Sequence, residues 1–182
     1  MNVQNPAAKA MKERPMRLIA ALAAGIVMGL ALATEPSGHD RLPGIIGINH
    51  IAVSTDDLPG SLDFYKNKMG FDEAFRVNDE RGQLALIYLY ASKDTFLELA
   101  VANPDRPPGI YHYGLVVRDI QATAAELATR GVKVQNLRKG STGSFVGTVA
   151  GPHGVNIELL QQVPDSLQQK AIKAWRAQRT RR

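Results

Sequence analysis

The chain has 182 residues, no cysteine, 45% hydrophobic residues and a formal net charge of +5. Its length suits one domain or two small modules, and its aliphatic content is too high for a disordered chain. Disulfides, zinc–thiolate sites and cysteine nucleophiles are excluded, and the positive charge sits at the two ends, which leaves residues 34–165 at −4 with no basic stripe of the kind that binds nucleic acid.

Residues 1–33 join a basic stretch, with Lys9, Lys12, Arg14 and Arg17, to an apolar run over 18–33 that closes on Ala31-Leu32-Ala33. Basic start, apolar middle and small-residue end are the parts of a secretory signal peptide. Cleavage is expected after Ala33, with a secreted or periplasmic location. The run is shorter than the roughly 20 residues of a membrane span. An uncleaved anchor is the alternative, and the only route to a membrane. Residues 34–44 read as a polar linker with Pro and Gly.

A first module is expected over 45–102. Residues 47–55 read as a strand with His50, Ala52 and Ser54 on one face. Leu58, Leu62, Tyr65 and Met69 recur at the spacing of an amphipathic helix, which Gly70 ends. Strands follow over 71–77, 84–90 and 95–101, separated by polar turns. The Pro-rich stretch 103–109 is the connection. A second module over 110–162 repeats the order: a strand at 111–117, a helix carrying Ile120, Ala124 and Leu127, then strands at 133–138, 144–150 and 156–161. Residues 163–182 form a basic tail with a helix expected over 165–179, where Leu167, Ile172 and Trp175 are the packing residues. The fold class is therefore α+β, two tandem β-α-β-β-β modules whose sheets curl around a cleft.

The repeat extends to chemistry. Asn49-His50-Ile51-Ala52-Val53 opens the first module and Tyr111-His112-Tyr113-Gly114-Leu115 the second. Phe96-Leu97-Glu98-Leu99 and Asn156-Ile157-Glu158-Leu159 close them. From His50 to Glu98 is 48 residues, and from His112 to Glu158 is 46. In each closing strand the aliphatics share one face and the glutamate takes the other. A buried charge is costly unless it is paired or bound to metal, so a pseudo-symmetric metal site formed by His50, Glu98, His112 and Glu158 is expected. His153 reads as a turn residue and His39 as a linker residue. Arg76, Arg138 and Lys139 read as solvated surface, with anion binding the alternative. Ser141-Thr142-Gly143-Ser144 fits a pocket loop or a plain hairpin equally.

Across 45–161 these motifs, with Ser61-Leu62-Asp63-Phe64-Tyr65 and Gly151-Pro152-His153-Gly154, resemble the vicinal oxygen chelate superfamily. That superfamily includes glyoxalase I, methylmalonyl-CoA epimerase, extradiol dioxygenases and drug-resistance proteins. The resemblance implies metal ligands at His50, Glu98, His112 and Glu158, with Glu98 or Glu158 as the catalytic base. A site of mixed imidazole and carboxylate suits Ni, Zn, Co, Mn or Fe. The full quartet implies a glyoxalase-type lyase or isomerase that passes through an enediolate of a small oxygenated substrate. An extradiol-type Fe(II) dioxygenase and a non-catalytic binding protein are the alternatives. Ser54 and Ala102 stand where glyoxalase I has its glutathione-binding arginine and asparagine, which argues against glutathione. An exported location argues the same way. A small-molecule substrate and a homodimer complete the expectation.

Overall fold

A computed structural model describes residues 44–180. The leader and cleavage site expected over 1–33, and all but the last residue of the linker, lie outside the described residues. The first module runs β1 (Ile45–Thr55), α1 (Leu58–Leu62), β2 (Glu73–Asn78), β3 (Leu84–Tyr90) and β4 (Phe96–Val101). The second runs β5 (Gly109–Val117), α2 (Ile120–Thr129), β6 (Val134–Lys139), β7 (Phe145–Ala150) and β8 (Asn156–Gln161). A terminal helix α3 (Leu167–Arg179) follows.

All eight strands form one mixed sheet in the order β2-β3-β4-β1-β5-β8-β7-β6. Within each module the first and last strands are parallel, and the modules join through the antiparallel pair β1–β5. The four strands expected to carry the histidines and glutamates are therefore the central four.

Each helix covers its own module. Asp57 caps α1 by accepting from the Gly60 N–H, and Asp119 caps α2 by accepting from Gln121 and Ala122. Leu58, Leu62 and Tyr65 pack on Ile87, Leu89, Leu97 and Leu99, while Ile120 and Leu127 pack with Val117, Val149 and Leu159. One expectation fails here. After Leu62 the chain continues as a π-helical stretch, Asp63–Lys68, with the Met69 N–H bonded to the Phe64 carbonyl. The wider turn breaks the 3.6-residue phase. Met69, expected in the apolar stripe, is 54% exposed, and Phe71 packs instead.

The opposite face is partly filled. Phe75, Tyr88, Tyr90 and Phe96 form an aromatic cluster against Ala171 and Ile172 of α3. Gln168, also on α3, bonds Ser144 and Thr142 of the second module. The terminal helix thus ties the concave faces of both modules together. Among the described residues no helix is long and apolar enough to cross a membrane.

Candidate metal centre

Register explains why four distant residues meet. Ala52 on β1 lies between Glu98 on β4 and His112 on β5. Gly114 on β5 lies between His50 on β1 and Glu158 on β8. Each small residue leaves room above the sheet for the two large side chains beside it, and the pseudo-twofold relation of the modules repeats the arrangement.

The four side chains converge. His50 Nε2 lies 2.7 Å from His112 Nε2, 3.7 Å from Glu98 Oε2 and 3.6 Å from Glu158 Oε2. One ligand atom from each of His50, Glu98 and His112 falls within 4.8 Å of the others. His50 is wholly buried and Glu98 nearly so, while the Glu158 side chain keeps 21% of its exposure. All four come from one chain.

Electrostatics keeps both imidazoles neutral. Burial drives the His50 pKa down to about 4, against the pull of Glu98 and with help from His112. Burial lowers His112 as well, opposed by Glu98 and reinforced by Arg106. The Nδ1–H of His50 donates to Asn49 Oδ1 at 2.9 Å, which leaves the Nε2 lone pair aimed at the cluster. Two nitrogen lone pairs facing each other beside two carboxylates need a shared proton or a cation between them. The donor set fits a divalent transition metal.

Two tyrosines complete the site. Tyr88 donates its hydroxyl to Glu98 Oε2 and Tyr111 donates to Glu98 Oε1. Burial, reinforced by Glu98, pushes both phenols above their ordinary pKa, so both stay protonated donors. Glu158 has no such clamp. It accepts no hydrogen bond among the described residues, and burial followed by the charge of Glu98 raises its pKa to about 8, with Arg138 pulling the other way. Above the cluster lies a cavity of about 290 Å³ whose polar lining includes Arg106, Arg138, Ser141, Thr142, Thr148 and Asn156.

Of the residues singled out from sequence, His50, Glu98, His112 and Glu158 come together. Arg138 and the 141–142 loop, expected on the surface or undecided, line the cavity. Arg76 instead pairs with Glu73 on the outside. Sequence reasoning missed Tyr88, Tyr111 and Asn49. Parity within β3 was the available signal for Tyr88, which stands directly opposite Glu98 in the register.

The family model for the Glyoxalase/Bleomycin resistance protein/Dioxygenase superfamily matches residues 47–159. The mitochondrial methylmalonyl-CoA epimerase of Dictyostelium discoideum is 29% identical over 122 residues, covering 57% of this chain and 72% of that protein. A methylmalonyl-CoA epimerase solved with methylmalonyl-CoA and ammonium is 25% identical, with TM-score 0.55, covering 67% of this chain and 98% of that one. The methylmalonyl-CoA epimerase of Mycobacterium tuberculosis shares the fold at 23% identity and TM-score 0.57, over 66% and 90% of the two chains. The chain described here belongs to the glyoxalase/bleomycin resistance/dioxygenase superfamily.

Proposed function

We propose that this protein is a metal-dependent isomerase that moves a proton at a carbon next to a carbonyl of a small acyl substrate. The observation that carries the reading is the convergence of two neutral imidazoles and two carboxylates beneath a cavity lined by polar groups. The epimerase relatives give it a reaction class, and glyoxalase-type lyase chemistry is a second outcome of the same site.

The residues divide the work. His50, His112 and Glu98 would hold the metal, with Glu158 completing the set. When bound, the metal would supply Lewis-acid polarisation of the substrate's oxygens, which acidifies the neighbouring C–H. Tyr88 and Tyr111 clamp both oxygens of Glu98 and fix it in place. Glu158 is unclamped and partly exposed to the cavity, so it is the carboxylate free to take the proton and return it. Tyr88, which lines the cavity, is itself held in place by packing with Phe75 and Phe96. The export segment expected over 1–33 favours a substrate found outside the cytoplasm over a coenzyme A thioester. A homodimer remains part of the proposal, and light scattering tests it.

The test is proton–deuterium exchange. Protein reloaded with Co²⁺ or Ni²⁺ should wash deuterium from D2O into the C2 position of a 2-methylmalonyl ester, followed by NMR. Glu158→Gln should abolish exchange while keeping the fold. Exchange at the protein-free rate across metals and acyl substrates would remove the isomerase reading.

A further inference from the structure

A second cavity lies apart from the metal centre. Its volume is about 410 Å³, and none of its lining residues lines the cavity above the cluster. Ile46, Ile48, Val116 and Ile172 give it apolar walls. Gln169, Ile172 and Arg176 reach it from α3 at the i, i+3, i+7 spacing of one helix face. These three and Gln162, also in the lining, lie past residue 159, where the match to the family model ends. The cavity is thus a feature that this chain builds onto the shared fold.

Asn49, another residue of the lining, is wholly buried. Between Ile48 and His50, β1 carries one residue more than β5 does between Leu115 and Gly114. Neighbouring side chains of a regular strand point to opposite faces, and this bulge brings Asn49 and His50 together. Asn49 Oδ1 accepts from the His50 Nδ1–H at 2.9 Å. A metal ligand at Nε2 requires that proton on Nδ1, which fixes the end of the amide that faces His50. Asn49 Nδ2 is left over, buried and without a hydrogen-bond partner among the described residues. An aspartate would hold His50 equally well, so the asparagine adds a donor that the metal centre does not use. Gln162 repeats the pattern. Its Oε1 accepts from Gln169 Nε2 at 2.6 Å, while its own Nε2 is buried and unpartnered.

Two buried donors bordering one cavity call for an occupant that supplies acceptors. The lining offers no surplus charge, because Arg176 is met by Asp94 at 3.8 Å. Burying a carboxylate against neutral amides costs more than burying a carbonyl, whose oxygen can accept two hydrogen bonds.

We propose that this cavity is a second binding site, for a neutral carbonyl compound with a short aliphatic body, such as a lactam or lactone, whose oxygen takes the free N–H groups of Asn49 and Gln162. Its occupancy is coupled to the metal centre. An amide that donates at nitrogen becomes a better acceptor at oxygen, so the occupant strengthens the Asn49–His50 bond and the basicity of Nε2. The coupling rests on His50 being a metal ligand, as proposed above; the binding does not.

Calorimetric titration of the full chain tests it, metal-free and metal-loaded, with ε-caprolactam as the neutral probe and hexanoate as its charged counterpart. Wild type should bind caprolactam more tightly than hexanoate. Asn49→Asp, which keeps the acceptor that His50 needs, and Gln162→Met should each weaken caprolactam about fivefold or more. Arg176→Gln should leave it unchanged. Saturating caprolactam should raise metal affinity, read by chelator competition, about fivefold in wild type and not in Gln162→Met. Thermal melting checks that the variants fold. The site is overturned if wild type ignores caprolactam, if both amide variants bind it as wild type does, or if hexanoate binds more tightly and depends on Arg176. Binding without a change in metal affinity overturns the coupling. Failure of the isomerase reading looks different: no deuterium exchange in wild type, with caprolactam binding intact.

Discussion

Replacing Gly114 by alanine should disable the metal centre without touching a ligand. A Cβ at position 114 would lie 2.5 Å from Nδ1 and 2.9 Å from Nε2 of His50, and closer still to Cε1. Ordinary contact begins near 3.4 Å, so the imidazole must move by about 1.1 Å or the strands must part. It has nowhere to go. His50 is fully buried, bonded to Asn49 at 2.9 Å, in contact with His112 at 2.7 Å and set edge-on to Tyr88. Overpacking of this kind costs about 1–3 kcal/mol of stability. Displacing a ligand's support weakens metal affinity by about 10- to 100-fold. The assay is metal affinity by chelator competition, beside urea denaturation of the metal-free protein. An affinity within twofold of wild type, in a folded variant, would refute the claim that His50 Nε2 is a ligand held in place by the Gly114 gap.

The remaining predictions concern charge and packing. In the metal-free protein Glu158 has a pKa of about 8, above its ordinary 4.5. Its contribution to stability is therefore complete below pH 4.5 and lost as pH rises through 8, by about 5 kcal/mol at most. Glu158→Gln should flatten that part of the curve, so urea denaturation at pH 5 and pH 8.5 should show wild type losing ground to the variant; parallel curves would contradict the placement of Glu158. His50, lowered to about 4, acts in the other direction: its contribution is present above pH 6.5 and lost as pH falls through 4. His50→Gln should therefore be less acid-sensitive between those values in the same assay. Gln168→Ala should cost about 2–4 kcal/mol, because it leaves the buried Ser144 and Thr142 hydroxyls without partners. A cost below about 0.5 kcal/mol, the range of ordinary surface changes, would mean α3 does not tie the modules together.

Much of this architecture could be read from the chain because the repeat and the strand period report the same thing twice. Leu97 and Leu99 share a face, so Glu98 must take the other, and Ile157 and Leu159 impose the same on Glu158. The bounds expected for the strands at 84–90 and 156–161 agree with β3 and β8. What the period could not report was any place where the period itself breaks. The π-helical stretch after Leu62 turned Met69 outward. The extra residue between Gln135 and Arg138 sets Arg138, read from sequence as solvated surface, opposite Val146 in the lining of the cavity. The tyrosine clamp was hidden for another reason. Tyr88 and Tyr111 meet Glu98 only through the pairing of β4 with β3 and of β1 with β5, which are tertiary facts. Packing of α3 across both modules is likewise a matter of three-dimensional register, although its apolar residues were visible.

Metal content of the purified protein bears most directly on the central claim. Elemental analysis of wild type, beside the double variant His50→Ala/Glu158→Ala, should find one equivalent of a divalent transition metal in the first and none in the second. A wild type that stays metal-free after reloading with Ni²⁺, Co²⁺, Zn²⁺, Mn²⁺ and Fe²⁺, or a double variant that keeps its metal, would contradict the account.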